Sequence, residues 1–160
     1  MHSFGKFIKE STVLEAVIIV ITVVVDQLLK RWVIRTIPLH TAKPALPGVF
    51  EWFHLQNFGA GWGMFEGQMS LFYIVSIVAL VYLGYEIWKG SFNHWLWRSC
   101  LSLLFAGTIG NLIDRMTLGY VTDMISLTFI SFPVFNVADI ALTLGVIGMI
   151  IYILKIEMRE

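Results

Sequence analysis

Apolar residues along this chain gather into four long runs, separated by short polar joints or by stretches rich in aromatics. A helix needs about 20 mostly apolar residues, each rising 1.5 Å, to cross a hydrocarbon layer of about 30 Å. The runs over 13–34, 69–88, 95–113 and 137–156 meet that length. The first is the least apolar, because Glu15, Asp26 and Lys30 interrupt it, but Leu28, Leu29 and Trp32 continue its stripe. Lys6 and Lys9 ahead of it imitate a secretory signal. No small-x-small cleavage site follows and the helical pattern runs on to Trp32, so the run reads as a retained span. Only "KGSFNH" separates the second and third runs, which makes them antiparallel neighbours.

Four spans put both termini on one side. Lys6, Lys9, Lys89, Arg98, Lys155 and Arg159 fall on that side, against Lys30, Arg31, Arg35, Lys43 and Arg115 opposite. The slight excess favours cytoplasmic termini. Residues 36–68 are too long for a turn and too aromatic for a disordered linker. Pro38, Pro44, Pro47 and Gly48 punctuate the start, "VFEWFHLQNF" has strand content, and "GAGWGMF" suits a segment lying in the membrane interface. The six tryptophans cluster at span ends or in this loop, as interfacial aromatics do. The expectation is a single membrane domain over 1–160: four transmembrane helices, a small extracytoplasmic β-rich element and an interfacial segment.

Composition agrees. Of 160 residues, 58% are hydrophobic and 14% charged, the balance of an integral membrane protein. Eleven basic and eleven acidic residues cancel, so there is no basic face for nucleic acid. Cys100, the only cysteine, excludes an internal disulfide or a multi-thiolate metal site, and His2, His40, His54 and His94 lack ligand spacing. No metal or other cofactor is implied, and no G-x-S-x-G nucleophile motif occurs.

Ionisable groups inside spans need a reason. Asp26 precedes Lys30 by four residues, the helical spacing of an ion pair, with indirect support of a site as the alternative. Asp114 ends the third run and Asp139 begins the fourth, so they fall at the same membrane face and can meet. Each follows an asparagine by three residues, Asn111 and Asn136, and so has an amide neighbour on its own helix face. Taken singly, Asn136 reads equally as a helix cap, and Asp114 as pairing with Arg115 or a loop amide. Two carboxylates converging at one depth repel unless they share a proton, which is the chemistry of an aspartic protease. Helix dipoles favour the charge on Asp139 and the proton on Asp114. Two rivals are a small proton-coupled transport or channel protein and a structural assembly subunit. A proton relay would string ionisable groups across several depths, and the stretch 73–81 has none.

"DQLLK", "NFGAGWGMF", "GNLIDR", "VTDMI" and "FNVAD", in that order, resemble the motif set of bacterial lipoprotein signal peptidases, the signal peptidase II group of intramembrane aspartic endopeptidases. The resemblance covers most of the chain. It implies cleavage of the signal peptide from diacylglyceryl-modified prolipoproteins just before the lipidated cysteine, in the bacterial cytoplasmic (inner) membrane. Membrane lipids and a globomycin-type inhibitor are further implied partners. Carried over by position, it makes Asp114 and Asp139 the catalytic dyad and Asn111, Arg115, Asn136 and Ala138 supporting positions. Asp26, Gln27 and Lys30 match the first-helix motif, and Asn57 and Gly59 the substrate and inhibitor loop. In that loop Gly61 and Trp62 replace the family's usual alanine and phenylalanine. Asp123 matches a further motif position, with a structural and a site role both open.

Overall fold

The computed structural model describes residues 2–61, 64–90 and 94–157, with side chains from residue 13 to 155 within those limits. The side chains of Lys6 and Lys9, the substituted Trp62, most of the 90–94 joint and Arg159 lie outside the described residues.

Four helices form an up-down-up-down bundle: α1 (His2–Thr36), α2 (Met69–Lys89), α3 (Trp95–Leu118) and α4 (Val137–Glu157). By length and composition, three of them could cross a membrane among the described residues: α2, α3 and the Val137–Lys155 part of α4. The described part of α1 carries Glu15, Asp26, Lys30 and Arg31. Its faces are reversed relative to a soluble helix. Glu15, Asp26 and Lys30 are buried while Val17, Val20, Ile21, Val24, Val25 and Leu28 are exposed, as expected where hydrocarbon is the solvent. Each buried charge has a partner: Arg98 donates to Glu15, its Nη2 lying 2.9 Å from Oε2, and Lys30 pairs with Asp26 at 2.9 Å. Glu15 meets Arg98 while Gln27 meets Gly110, so α1 and α3 run parallel. The α3–α4 seam is built from small residues. A Cβ on Gly107 would lie 2.5 Å from the Ala138 carbonyl oxygen, and one on Gly148 would lie 2.4 Å from the Cys100 sulfur.

α3 continues past the expected end at 113 to Leu118. Gly119, at φ 79°, closes it by donating to the Arg115 carbonyl, so Asp114 and Arg115 lie inside the helix. The expected single strand becomes a three-stranded antiparallel sheet in the order β1-β2-β3, made of β1 (Ala42–Leu46), β2 (Phe50–Asn57) and β3 (Val121–Leu127). Pro44 is tolerated because β1 is an edge strand. The "GAGWGMF" stretch forms bends and turns over its described residues, with Phe65 at φ 58° and, just beyond it, Gly67 at φ 80°. A small core of Val33, Ile37 and Met124, flanked by Trp32 and Trp52, joins the end of α1 to the sheet.

Candidate active site

β3 leaves α3 directly, and its start is pinned where Thr122 N–H donates to Asp114 Oδ2 at 2.9 Å. Its far side receives the segment entering α4. Phe135 accepts from Met124 N and donates to the Ile125 carbonyl, at 3.0 and 3.1 Å. β2 and β3 change register between Trp52 and Leu55, beside Asp123, which faces Leu55. Such an irregularity re-aims side chains next to it. The result sets Asp123 beside Asn136, just before α4.

Two groups of carboxylates emerge. In the first, Asp26 and Asp114 share Lys30, at 2.9 and 3.2 Å, and Gln27 Nε2 donates to Asp114 Oδ1 at 2.9 Å. Asp26 Oδ1 accepts from Ala138 N–H at 2.9 Å, so a residue of α1 caps the first turn of α4. Gly110 makes room for this contact, since a Cβ there would lie 2.7 Å from Asp26 Oδ2 and 3.1 Å from Ala138 Cβ.

In the second group, asparagines hold Asp123 and Asp139. Asn136 serves both: its Nδ2 donates to Asp123 Oδ1 at 2.7 Å and its backbone N–H to Asp139 Oδ2 at 3.0 Å. The other oxygens are held by Asn57 Nδ2 on Asp123 at 2.8 Å and Asn111 Nδ2 on Asp139 at 2.8 Å. Asn136 Oδ1 also accepts from Asp139 N–H, so the helix cap foreseen from spacing and the support of a carboxylate are one arrangement. Lys30 Nζ donates to Asn111 Oδ1 at 3.0 Å, which leaves the Asn111 amino group directed at Asp139. Burial pushes the Asp123 carboxyl up to about 7, helped by the neighbouring Asp139 and opposed by Asn57, Asn136 and Lys30.

A cavity of about 560 Å3 opens here between α2, α3 and α4, and Asp123, Asp139, Asn57, Asn111 and Arg115 line it. Asp114 is not on its wall. The sequence reading therefore meets the structure unevenly. Asp139, Asn57, Gly59, Asn111 and Arg115 come to one cavity, with Asn136 behind them, whereas Asp114 faces Lys30, Gln27 and β3. Asn111 does not bond Asp114 one turn on but crosses to α4. Arg115 turns away from Asp114: its guanidinium lies 4.5 Å over the Phe72 ring and Nη2 is 3.3 Å from the Gly59 carbonyl. Gly59 is needed there, because a Cβ would lie 2.7 Å from the Met64 carbonyl oxygen, and its N–H donates to Asn57 Oδ1 at 2.9 Å. Among site residues, spacing missed the place of Asp123 on the cavity. Its sequence signal was the match of "VTDMI" to a motif position, which left a structural and a site role both open.

Comparison with known proteins agrees with this architecture. The family described as signal peptidase (SPase) II matches residues 18–155. The lipoprotein signal peptidase of Lactiplantibacillus plantarum is 41% identical over 144 residues, 90% of this chain and 96% of that protein. That of Latilactobacillus sakei subsp. sakei is 45% identical over 132 residues, covering 82% and 87%. A bacterial membrane enzyme solved by the in meso method at 2.3 Å resolution superposes with a TM-score of 0.85 at 36% identity, covering 89% of this chain and 88% of that one. With this match spanning nearly all of its length, the chain belongs to the signal peptidase II family.

Proposed function

We propose that the protein is a membrane-embedded aspartic endopeptidase that removes signal peptides from diacylglyceryl-modified prolipoproteins immediately before the lipidated cysteine, and that Asp123 and Asp139 are its reacting pair. The observation carrying this is the asparagine cradle: two carboxylates on one cavity wall, each with one oxygen on Asn136 and the other on Asn57 or Asn111. This revises the Asp114–Asp139 pair expected from helix geometry and from the resemblance, since Asp114 is off the cavity wall and its oxygens are taken by Lys30, Gln27 and Thr122.

Held on the same asparagine, with Asp139 among the groups that raise Asp123, the two carboxylates share one proton. Asp123, whose carboxyl is raised to about 7, is the acid, and Asp139, at the donor-rich start of α4, is the base. Asp139 takes a proton from water as the oxygen adds to the scissile carbonyl carbon, and Asp123 protonates the carbonyl oxygen. The roles then reverse. The tetrahedral diol gives its proton back as the C–N bond breaks, the leaving nitrogen takes a proton, and the products are a signal-peptide acid and an amine on the cysteine. The apolar walls from α2 and α4 suit a signal helix entering from the bilayer. In this reading the protein lies in the bacterial cytoplasmic membrane with both termini cytoplasmic and the sheet outside. Asn57, Gly59 and Arg115 shape the substrate side, where a globomycin-type inhibitor would also bind.

The test is direct. Purified protein is incubated with a diacylglyceryl-modified prolipoprotein and with its unlipidated precursor. Release of the signal peptide from the first and poor cleavage of the second is the expected result. Equal cleavage of both, or of neither, would refute the assignment.

A further inference from the structure

The cavity holding Asp123 and Asp139 continues into a second chamber of about 430 Å3. Asn57, Gly59, Asp123 and Pro133 belong to the walls of both. The two differ in what else surrounds them. Val75, Ala79, Ile140 and Leu144, on helices α2 and α4, enclose the first; no residue of those helices borders the second among the described residues. There the wall is Leu55, Gln56, Glu66 and Ser131, from the sheet and the two loops above it. A chain passing Asp123 thus leaves a hydrocarbon-like groove and enters a space with an amide, a carboxylate and a hydroxyl at its border.

We propose that this second chamber is the subsite for the residues that follow the cleaved bond, and that Glu66 disfavours acidic side chains there. The inference rests on the proposed reaction at Asp123 and Asp139. For a signal helix in the first cavity, the shared walls at Asn57, Gly59, Asp123 and Pro133 offer a continuation past the reacting pair that leads over the sheet. The strand beneath is suited to an extended chain. Pairing of β1 with β2 ends at Phe53, so from Leu55 to Asn57 β2 is paired along β3 and has no strand on its other edge among the described residues. An extended peptide can add to such an edge through its main chain, with side-chain preference set by the walls. Glu66 is held in place there. A Cβ on Gly59 would lie 3.2 and 3.3 Å from the Glu66 backbone N and Cα, so the loop bearing its carboxylate packs closely on the loop that carries Asn57. Asp123 at the inner end and Glu66 at the outer are the ionisable residues on its wall, and no lysine or arginine borders it among the described residues.

The experiment uses synthetic diacylglyceryl peptides with a signal segment, one ending a single residue after the lipidated cysteine and one extending six residues beyond it, in mixed micelles. Ser131 is exposed, so Ser131→Trp fills the chamber without disturbing the core. It should lower kcat/KM about tenfold on the long substrate and leave the short one within twofold. For long substrates with Lys or Asp at the second and third positions, wild type should prefer Lys, and Glu66→Lys should shift the preference towards Asp by about twofold to fivefold, the size expected of an exposed charge. Equal effects of Ser131→Trp on both lengths, or a Lys/Asp preference unmoved by Glu66→Lys, would overturn the subsite. Failure of wild type to cleave either peptide would instead overturn the proposed reaction beneath it.

Discussion

Asp26 and Asp114 are buried, as Asp123 is, yet they are built in the opposite way from Asp123 and Asp139. The first pair is clamped by a full cation: Lys30, itself 1% exposed, touches both carboxylates. The hydrogen bonds to the second pair come from neutral amides, of Asn57, Asn111 and Asn136, while the cation on the cavity wall, Arg115, is turned to Phe72 and the Gly59 carbonyl. The shared cation makes a joint between α1, α3, β3 and the start of α4. Amides orient oxygens without a direct ion pair, which in the proposed reaction leaves a shared proton free to move within the second pair. The lesson is that burial of a carboxylate does not identify a reacting group; the charge of what holds it does. Asn111 links the two regions, accepting from Lys30 and donating to Asp139.

The sharpest way to break this comparison is to remove one proton-carrying group from each region. Asp123→Asn and Asp139→Asn are each expected to lower turnover by about a thousandfold or more, the scale of lost general acid–base catalysis, with the thermal unfolding midpoint in detergent nearly unchanged. The double variant should be little worse than either single one, because the two act as a unit. Asp114→Asn should instead lower the unfolding midpoint and retain at least tenfold more turnover per folded molecule than Asp123→Asn. A well-folded, inactive Asp114→Asn beside an active Asp123→Asn would restore the Asp114–Asp139 pair.

Next in size is Lys30→Met, which strands two buried carboxylates. Breaking a buried ion pair from one side costs about 3–5 kcal/mol. For a chain of 160 residues that is a fall of about 10 °C in the unfolding midpoint. Calorimetry or scanning fluorimetry in detergent would read it. An unchanged midpoint with lost turnover would move Lys30 from the joint to the reaction.

What was legible in the sequence follows from the same physics. α2 and α4 leave most of their apolar surface outside the bundle, so unbroken apolar runs mark their limits to within a residue or two. The end of α3 was placed a turn early, because polar Asn111, Asp114 and Arg115 read as leaving the membrane, whereas the helix runs on to the left-handed Gly119. β3 was hidden for a different reason. Val121, Thr122, Asp123 and Met124 are all buried, so no alternation marks a strand. The i and i+3 rule paired each helical aspartate with its neighbouring asparagine. It could not see that Asn57, 66 residues away in sequence, is the partner of Asp123. Motif order flagged Asp123, and only tertiary placement shows which aspartate shares the cavity with Asp139.

The smallest effect is a pH shift that separates an amide cradle from a cationic one. The Asp123 carboxyl is raised from an ordinary 3.8 to about 7, first by burial and then by Asp139. Because its folded value lies above its unfolded one, its contribution to stability is complete below about pH 4 and is lost as pH rises towards 7. The acid it supplies disappears over the upper end of that window, so kcat/KM should fall about tenfold per pH unit above 7. Asn57 donates to Asp123 Oδ2 and so favours the charged form. Asn57→Ala should move the falling limb to higher pH by about one unit, since a hydrogen bond to a charged group contributes on the order of 1.5–3 kcal/mol and one unit corresponds to about 1.4. The absolute rate will drop as well, because Asn57 also orders Gly59. The position of the limb, not its height, is therefore the readout. A limb that stays in place or moves down would mean that the group titrating near 7 is not Asp123.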